Sequence, residues 1–115
     1  MEQLEFHHAT SHQGRTWVQI EPKIYEMTLN IDTLSGRRTL LQKHEPGSLN
    51  AKESLHDYIE EIYIVEGDLV DVPKKETYLK GYYYAYRKPG MRHGPFASEK
   101  GCLMFITCSP AESRK

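Results

Sequence analysis

Turn-forming residues interrupt this chain at short intervals, and that punctuation constrains the fold more than any other feature. Glu21-Pro22, Asp32 to Gly36, Glu45-Pro46-Gly47-Ser48, Gly67-Asp68, Pro73, Lys88-Pro89-Gly90 and Ser98-Glu99-Lys100-Gly101 leave no stretch that reads as an amphipathic helix. The runs between them are rich in β-branched and aromatic residues. Trp17 to Ile20, Ile24 to Ile31, Arg38 to His44, Glu60 to Glu66, Leu69 to Val72, Thr77 to Leu79, Tyr82 to Arg87 and Cys102 to Cys108 are the expected strands. Ile24 to Ile31 sets Tyr25, Met27, Leu29 and Ile31 against Ile24, Glu26, Thr28 and Asn30, the pattern of a half-buried strand. Gly67-Asp68 reads as a two-residue hairpin turn, since Gly, and to a lesser degree Asp, tolerates positive φ. The expectation is an all-β fold, an antiparallel double-sheet jelly roll or small barrel.

A length of 115 residues fits one domain, with a core over about residues 17–108, a frayed N-terminal arm over 1–14 and a disordered tail over 109–115. Fifteen Lys and Arg against sixteen Asp and Glu give a net charge of -1 with no basic stripe, so nucleic acid is not expected as a partner. No apolar run has the length of a membrane span, and the N-terminus has no apolar signal region, so a cytoplasmic protein is expected. Cys102 and Cys108 fall in one strand, where six extended residues hold them roughly 20 Å apart. They cannot bridge each other, and two buried thiols suit a reducing compartment.

Chemistry concentrates in two stretches. Ser54 to Gly67 (SLHDYIEEIYIVEG) carries a histidine, two carboxylates and an apolar strand. Gly81 to Phe96 (GYYYAYRKPGMRHGPF) adds an aromatic strand, a Pro-Gly turn and another histidine. Folded together, they bring imidazole and carboxylate into one pocket.

The spacing His56, three residues, Glu60, six residues, Gly67 resembles the second half of the first cupin motif, G-x5-H-x-H-x3-4-E-x6-G. Pro89-Gly90, two residues, His93 resembles the second motif, P-x-G-x-x-H-x-x-x-N. The resemblance extends over residues 24–108, and YYYAYRKPGMRHGPF followed by SEKGC looks like the small cupins related to the cupin half of an anti-sigma factor. Ser54 stands in place of the first histidine, Gly47 is one residue too far away, Pro89 adjoins Gly90, and Ala97 replaces the asparagine. The resemblance implies a metal held by His56, Glu60 and His93. Two imidazoles and one carboxylate suit non-haem Fe(II), while Mn, Ni, Zn or Cu fit the same donors.

Other residues have weaker claims. His7, His8 and His12 are metal-capable but sit on the arm, where ordering entropy opposes binding. His44 is a candidate substitute for the missing imidazole, and Ser54 is a weak neutral ligand. Tyr58 and Tyr63 flank the implied metal and are the candidate acid or base residues. Tyr82, Tyr84 and Tyr86 share one strand face, Glu61 points away from Glu60, and Arg87 and Arg92 are near His93.

The expected function is a metal-dependent small-molecule cupin enzyme, an oxygenase acting on a dicarbonyl or phenolic compound. A metal-dependent lyase or isomerase, and a non-catalytic ligand-binding or sensor cupin, are the alternatives. The strand Cys102 to Cys108 is apolar on both faces, which predicts a homodimer or a docked N-terminal arm over the second face.

Overall fold

The computed structural model describes residues 1–50 and 56–111. Nine strands are present among them: β1 (Val18–Glu21), β2 (Ile24–Ile31), β3 (Arg38–His44), β4 (Ser48–Asn50), β5 (Tyr58–Asp71), β6 (Glu76–Leu79), β7 (Tyr84–Arg87), β8 (Phe96–Ser98) and β9 (Cys102–Pro110). Every strand pair is antiparallel. One sheet runs β1-β2-β3-β9-β5 with β7 on its far edge; the second joins the C-terminal end of β5 to β6 on one side and to β8 and β4 on the other. The result is the expected all-β, cupin-type barrel. No helix among the described residues is long and apolar enough to cross a membrane.

β5 holds the two sheets together, and it corrects the expected Gly67-Asp68 hairpin. The chain does not reverse there. It shifts register against β9 between Ile64 and Glu66 and passes from one sheet into the other. A bulge uses the positive φ of glycine as readily as a turn does, and bulges bend strands at barrel corners. Gly67 has φ +82, and a Cβ on it would lie 1.8 Å from the Gly101 carbonyl oxygen. Asp68 pins the corner: its amide donates to Gly101 O at 3.0 Å, and its Oδ1 accepts from the Ser98 hydroxyl at 2.9 Å and the Lys100 amide at 3.1 Å. The real reversal comes at the turn residues 72–75, where Lys75 takes a positive φ of 56. β4 and β8 are too short to stand out in the sequence. The expected tail begins too early, since Ser109 and Pro110 continue β9 opposite Ile59 and Tyr58.

The core is the inward face of this barrel. Leu40, Ile62, Ile64, Leu69, Phe96, Cys102, Met104, Ile106 and Cys108 pack together, and both cysteines are free thiols. The register Met27↔Leu41↔Phe105 sets those three on the outer face instead, because directly paired residues share a side of the sheet. Met27 is nevertheless only 2% exposed. The N-terminal arm lies over this face: Asn30 Nδ2 donates to Glu2 O, Arg15 donates to Leu29 O, each at 2.8 Å, and Lys43 sits over the Trp17 ring. Thus β2 turns its apolar side outward beneath the arm. Its polar side, with Glu26, faces the interior.

Candidate metal centre

A cavity of about 480 Å³ opens into the barrel. Its chemistry is concentrated where the start of β5 meets the loop between β7 and β8. His56 precedes β5, Glu60 lies on its inward face beside Ile62, and His93 comes from the loop after the Pro89-Gly90 turn. The Gly90 amide donates to His56 O at 2.8 Å, which ties the two stretches together. His56 Nε2 is 3.0 Å from His93 Nε2 and 3.5 Å from Glu60 Oε1, and His93 Nε2 is 3.9 Å from the same oxygen. These three residues form the one cluster with the proximity of a metal site among the described residues.

Hydrogen bonding and burial prepare both imidazoles as ligands. His56 Nδ1 lies 3.1 Å from Tyr58 O, which can only accept, so Nδ1 carries a hydrogen and Nε2 is the ring nitrogen turned toward Glu60 and His93. Burial, then the charge of Arg87, then His56 push the pKa of His93 down to about 4, so its ring is neutral at pH 7. Among the described residues His93 Nδ1 is buried without a hydrogen-bond partner, and the ring is held by the approach of its Nε2 to His56 Nε2 and by packing against His56 and Phe96. Ligands about 2.1 Å from one ion stand about 3.0 Å apart when cis on an octahedron and about 3.4 Å apart on a tetrahedron. The imidazole pair has the first spacing. Glu60 fits after a small approach, and Arg87 opposes that approach: its Nη1 is 3.2 Å from Glu60 Oε1.

Arg87 is the residue that sequence reasoning undervalued. It sits directly across the ladder from Glu60, its side chain is only 12% exposed, and its guanidinium lies over the Phe96 ring at 5.1 Å. The outward alternation of Tyr84 and Tyr86 was the available signal, since it turns Ala85 and Arg87 inward. Arg92 is exposed.

Tyr58 lines the cavity and stacks on His56, with ring centroids 4.1 Å apart at 12°. Burial, followed by the charges of Cys108 and Glu60, pushes its pKa up to about 12, so its hydroxyl is a hydrogen-bond donor rather than a base at neutral pH. Tyr63 lies elsewhere. It is on the outer face opposite Tyr84 and Phe105, 43% exposed, because residue 63 has the opposite strand parity from Glu60. Tyr82, Tyr84 and Tyr86 are exposed too, and the Tyr84 hydroxyl donates to Glu61. The tyrosine stripe on that strand face therefore lies on the surface.

The far wall of the cavity is a polar chain. His44 Nε2 is 2.8 Å from Gln42 Oε1, and Gln42 Nε2 donates to Glu26 Oε2 at 3.0 Å. His44 is buried, and burial pushes its pKa down to about 4. It lines the same cavity but stands outside the three-residue cluster. Ser54 lies outside the described residues. On the arm, the His7 and His12 rings are 4.3 Å apart, but Arg15 is bonded to His7 Nε2 and His8 Nδ1 is engaged by Ser11; all three histidines are exposed.

Comparison with known families decides the identity. A profile of the ChrR cupin-like domain matches residues 6–112, nearly the whole chain. The chain belongs to the ChrR cupin-like family. Among solved structures, this ChrR-like cupin is similar to an RmlC-like cupin from Shewanella frigidimarina, at 18% identity and a TM-score of 0.70 over 94% of this chain and 95% of that one. An acetylacetone dioxygenase from Acinetobacter johnsonii gives 15% identity and a TM-score of 0.70 over 95% and 76%. The complex of Rhodobacter sphaeroides SigE with the anti-sigma ChrR gives 14% and 0.64, over 84% of this chain and 50% of that one. At these identities the likeness is one of fold. A search of curated proteins finds no match.

Proposed function

We propose that this ChrR-like cupin is a metal-dependent enzyme acting on a small molecule, an oxygenase for a dicarbonyl or phenolic compound. One observation carries the reading: two imidazole nitrogens and one carboxylate oxygen converge within a cavity large enough for such a substrate. His56, Glu60 and His93 hold the ion, with Fe(II) favoured by the donor set and Mn, Ni, Zn or Cu as alternatives. A divalent ion there supplies Lewis acidity toward a carbonyl or phenolic oxygen and, when redox-active, electrons for dioxygen.

The chain's own groups do the rest. Arg87 offers a guanidinium to an anionic oxygen of the substrate, and Tyr58 offers a protonated hydroxyl. Ile62, Leu69, Phe96, Met104 and Ile106 give the cavity an apolar lining that limits water. The likeness to a protein named an acetylacetone dioxygenase supports a dicarbonyl.

Arg87 at Glu60 Oε1, together with membership in the ChrR-like family, favours a second reading: a sensor that binds metal or ligand without turnover. Metal analysis of chelator-free protein, followed by oxygen consumption with acetylacetone and catechol panels, separates the two. Stoichiometric metal with substrate-dependent oxygen uptake is the expected result. Substrate loss without oxygen uptake points to the lyase or isomerase, and ligand binding without turnover points to the sensor.

Two further properties belong to this reading. The free, buried thiols, pushed up to about 12 at Cys102 and about 11 at Cys108, suit a reducing cytoplasm. The exposed cross-strand row Tyr84-Tyr63-Phe105 on the outer face supports a homodimer, which a monomeric mass in light scattering would exclude.

A further inference from the structure

A second chamber of about 260 Å³ lies on the other side of the barrel interior from the polar wall. It has a structural origin. β6 and β7 follow one another along one edge of β5, joined through Gly81 and Tyr83 at Ile64, and neither has a second strand partner among the described residues, so the barrel has a free edge there beside the core. Ile64, Tyr78, Tyr83, Ala85 and Met91 line this chamber and not the first one. Tyr78 and Tyr83 form a tilted ring pair 5.0 Å apart, and Ala85, directly across from Ile62, leaves room where a larger inward residue would fill the space. Close-packed interiors leave few voids larger than a water molecule, so a recess of this size bordered by rings and aliphatic side chains is shaped to take an apolar group.

The two chambers share a side-chain wall. Ile62, Leu69, Arg87 and Phe96 border both. Of these, Arg87 touches Glu60 on one side and the Phe96 ring on the other, and a long flexible side chain is the element of such a wall that can shift without moving the backbone. The polar groups divide unequally across it. Histidines and Glu60 border the first chamber, whereas the second has Arg87 at its inner end and Asp71 with Lys74, where Asp71 Oδ1 already accepts from the Lys74 amide.

We propose that this side chamber is a binding site for an aromatic or branched apolar group, the tail of a substrate whose oxygen-bearing head reaches the metal centre past Arg87 and Phe96. This rests on His56, Glu60 and His93 as the ligands that hold the head. An apolar cavity of roughly 150 Å³ accommodates benzene, so the chamber has room for one substituted ring. The substrate is therefore amphipathic, a β-dicarbonyl or ortho-oxygenated compound bearing an aryl or branched alkyl substituent, rather than a small polar molecule.

Two titrations of the full chain separate the chamber from the metal. Metal-free protein titrated with indole and followed by methyl NMR is expected to show saturable shifts at Ile62, Ile64 and Leu69. Ala85→Phe fills the chamber from the inward face of β7 and is expected to weaken indole at least tenfold. Met91→Trp, at an exposed rim position, provides the same block without touching the core. Protein saturated with Fe(II) under anaerobic conditions is then titrated with acetylacetone and benzoylacetone. Benzoylacetone should bind at least tenfold more tightly in the wild type and no more tightly than acetylacetone in Met91→Trp. Absence of indole shifts, or equal metal-dependent binding of both diketones by the wild type, overturns the chamber and leaves the metal site standing. Indole binding that Met91→Trp removes, with no metal-dependent binding of either diketone, supports the chamber and overturns the metal reading instead.

Discussion

Metal binding at His56, Glu60 and His93 should appear as folding stability, because the three donors come from segments that meet only in the native barrel. At free metal a hundred times the dissociation constant, mass action stabilises the native state by about 2.7 kcal/mol when the unfolded chain does not bind. With an unfolding entropy of about 2.1 cal/mol/K per residue, 115 residues give roughly 0.24 kcal/mol/K, so the melting temperature should rise by about 11 °C. His93→Ala removes one of the two nitrogens that stand 3.0 Å apart. If that weakens binding about a hundredfold, the same metal concentration leaves about 0.4 kcal/mol, a shift of under about 2 °C. Differential scanning fluorimetry with and without metal reads this directly, each variant measured against its own metal-free form. His56→Ala and Glu60→Gln should behave like His93→Ala, whereas His7→Ala and His12→Ala, on the exposed arm, should keep the full shift. Equal shifts in wild type, His56→Ala and His93→Ala would refute the site, and a shift lost in His7→Ala would move the metal to the arm.

Three further outcomes follow from individual contacts. Burial lowers the folded pKa of His44 from 6.5 to about 4, so the unfolded chain takes up that proton first; the stability is present above pH 6.5 and falls by about 3 kcal/mol as pH drops to 4. Denaturant unfolding across that range should show a shallower pH slope for His44→Gln, and an unchanged slope would reject the assignment. Gly67→Ala should destabilise by about 3 kcal/mol or more, because its Cβ would lie 1.8 Å from Gly101 O. Gly36→Ala, with a similar φ of +83 but nothing within 4 Å, should cost only about 1 kcal/mol; equal denaturation midpoints for the two would rule out the close approach at the corner. Arg87→Met removes the cation beside Glu60 Oε1 and should tighten metal binding at least tenfold in a calorimetric titration, since a nearby positive charge opposes a divalent ion; weaker binding would show that Arg87 supports the site.

Local sequence was informative wherever the chemistry is local. Prolines and glycines at positive φ broke the chain where strands end, at Pro22, Gly36, Gly47 and Gly90. Strand parity put Glu60 with Ile62 and Ile64 on the inward face and Glu61 with Tyr63 on the other. The His56, Glu60 and His93 spacing was likewise readable, as was the impossibility of a disulfide between Cys102 and Cys108.

Whatever depends on which neighbour a residue meets was decided by the tertiary structure. Gly67 has the conformation of a turn glycine, yet β9 runs beside β5 as far as Cys102, so the chain bends through a bulge instead of reversing. β2 has one apolar face, but alternation does not say which side is in. The arm covers that face, and the barrel keeps Glu26 for its cavity. Tyr63 is close to Glu60 in sequence and points away from it in space, whereas Arg87, 27 residues distant, contacts its carboxylate. The physical reason is the same in each case. A period-two pattern fixes the relative orientation of side chains within a strand, while the identity of the inside is set only when strands far apart in sequence close around a common volume.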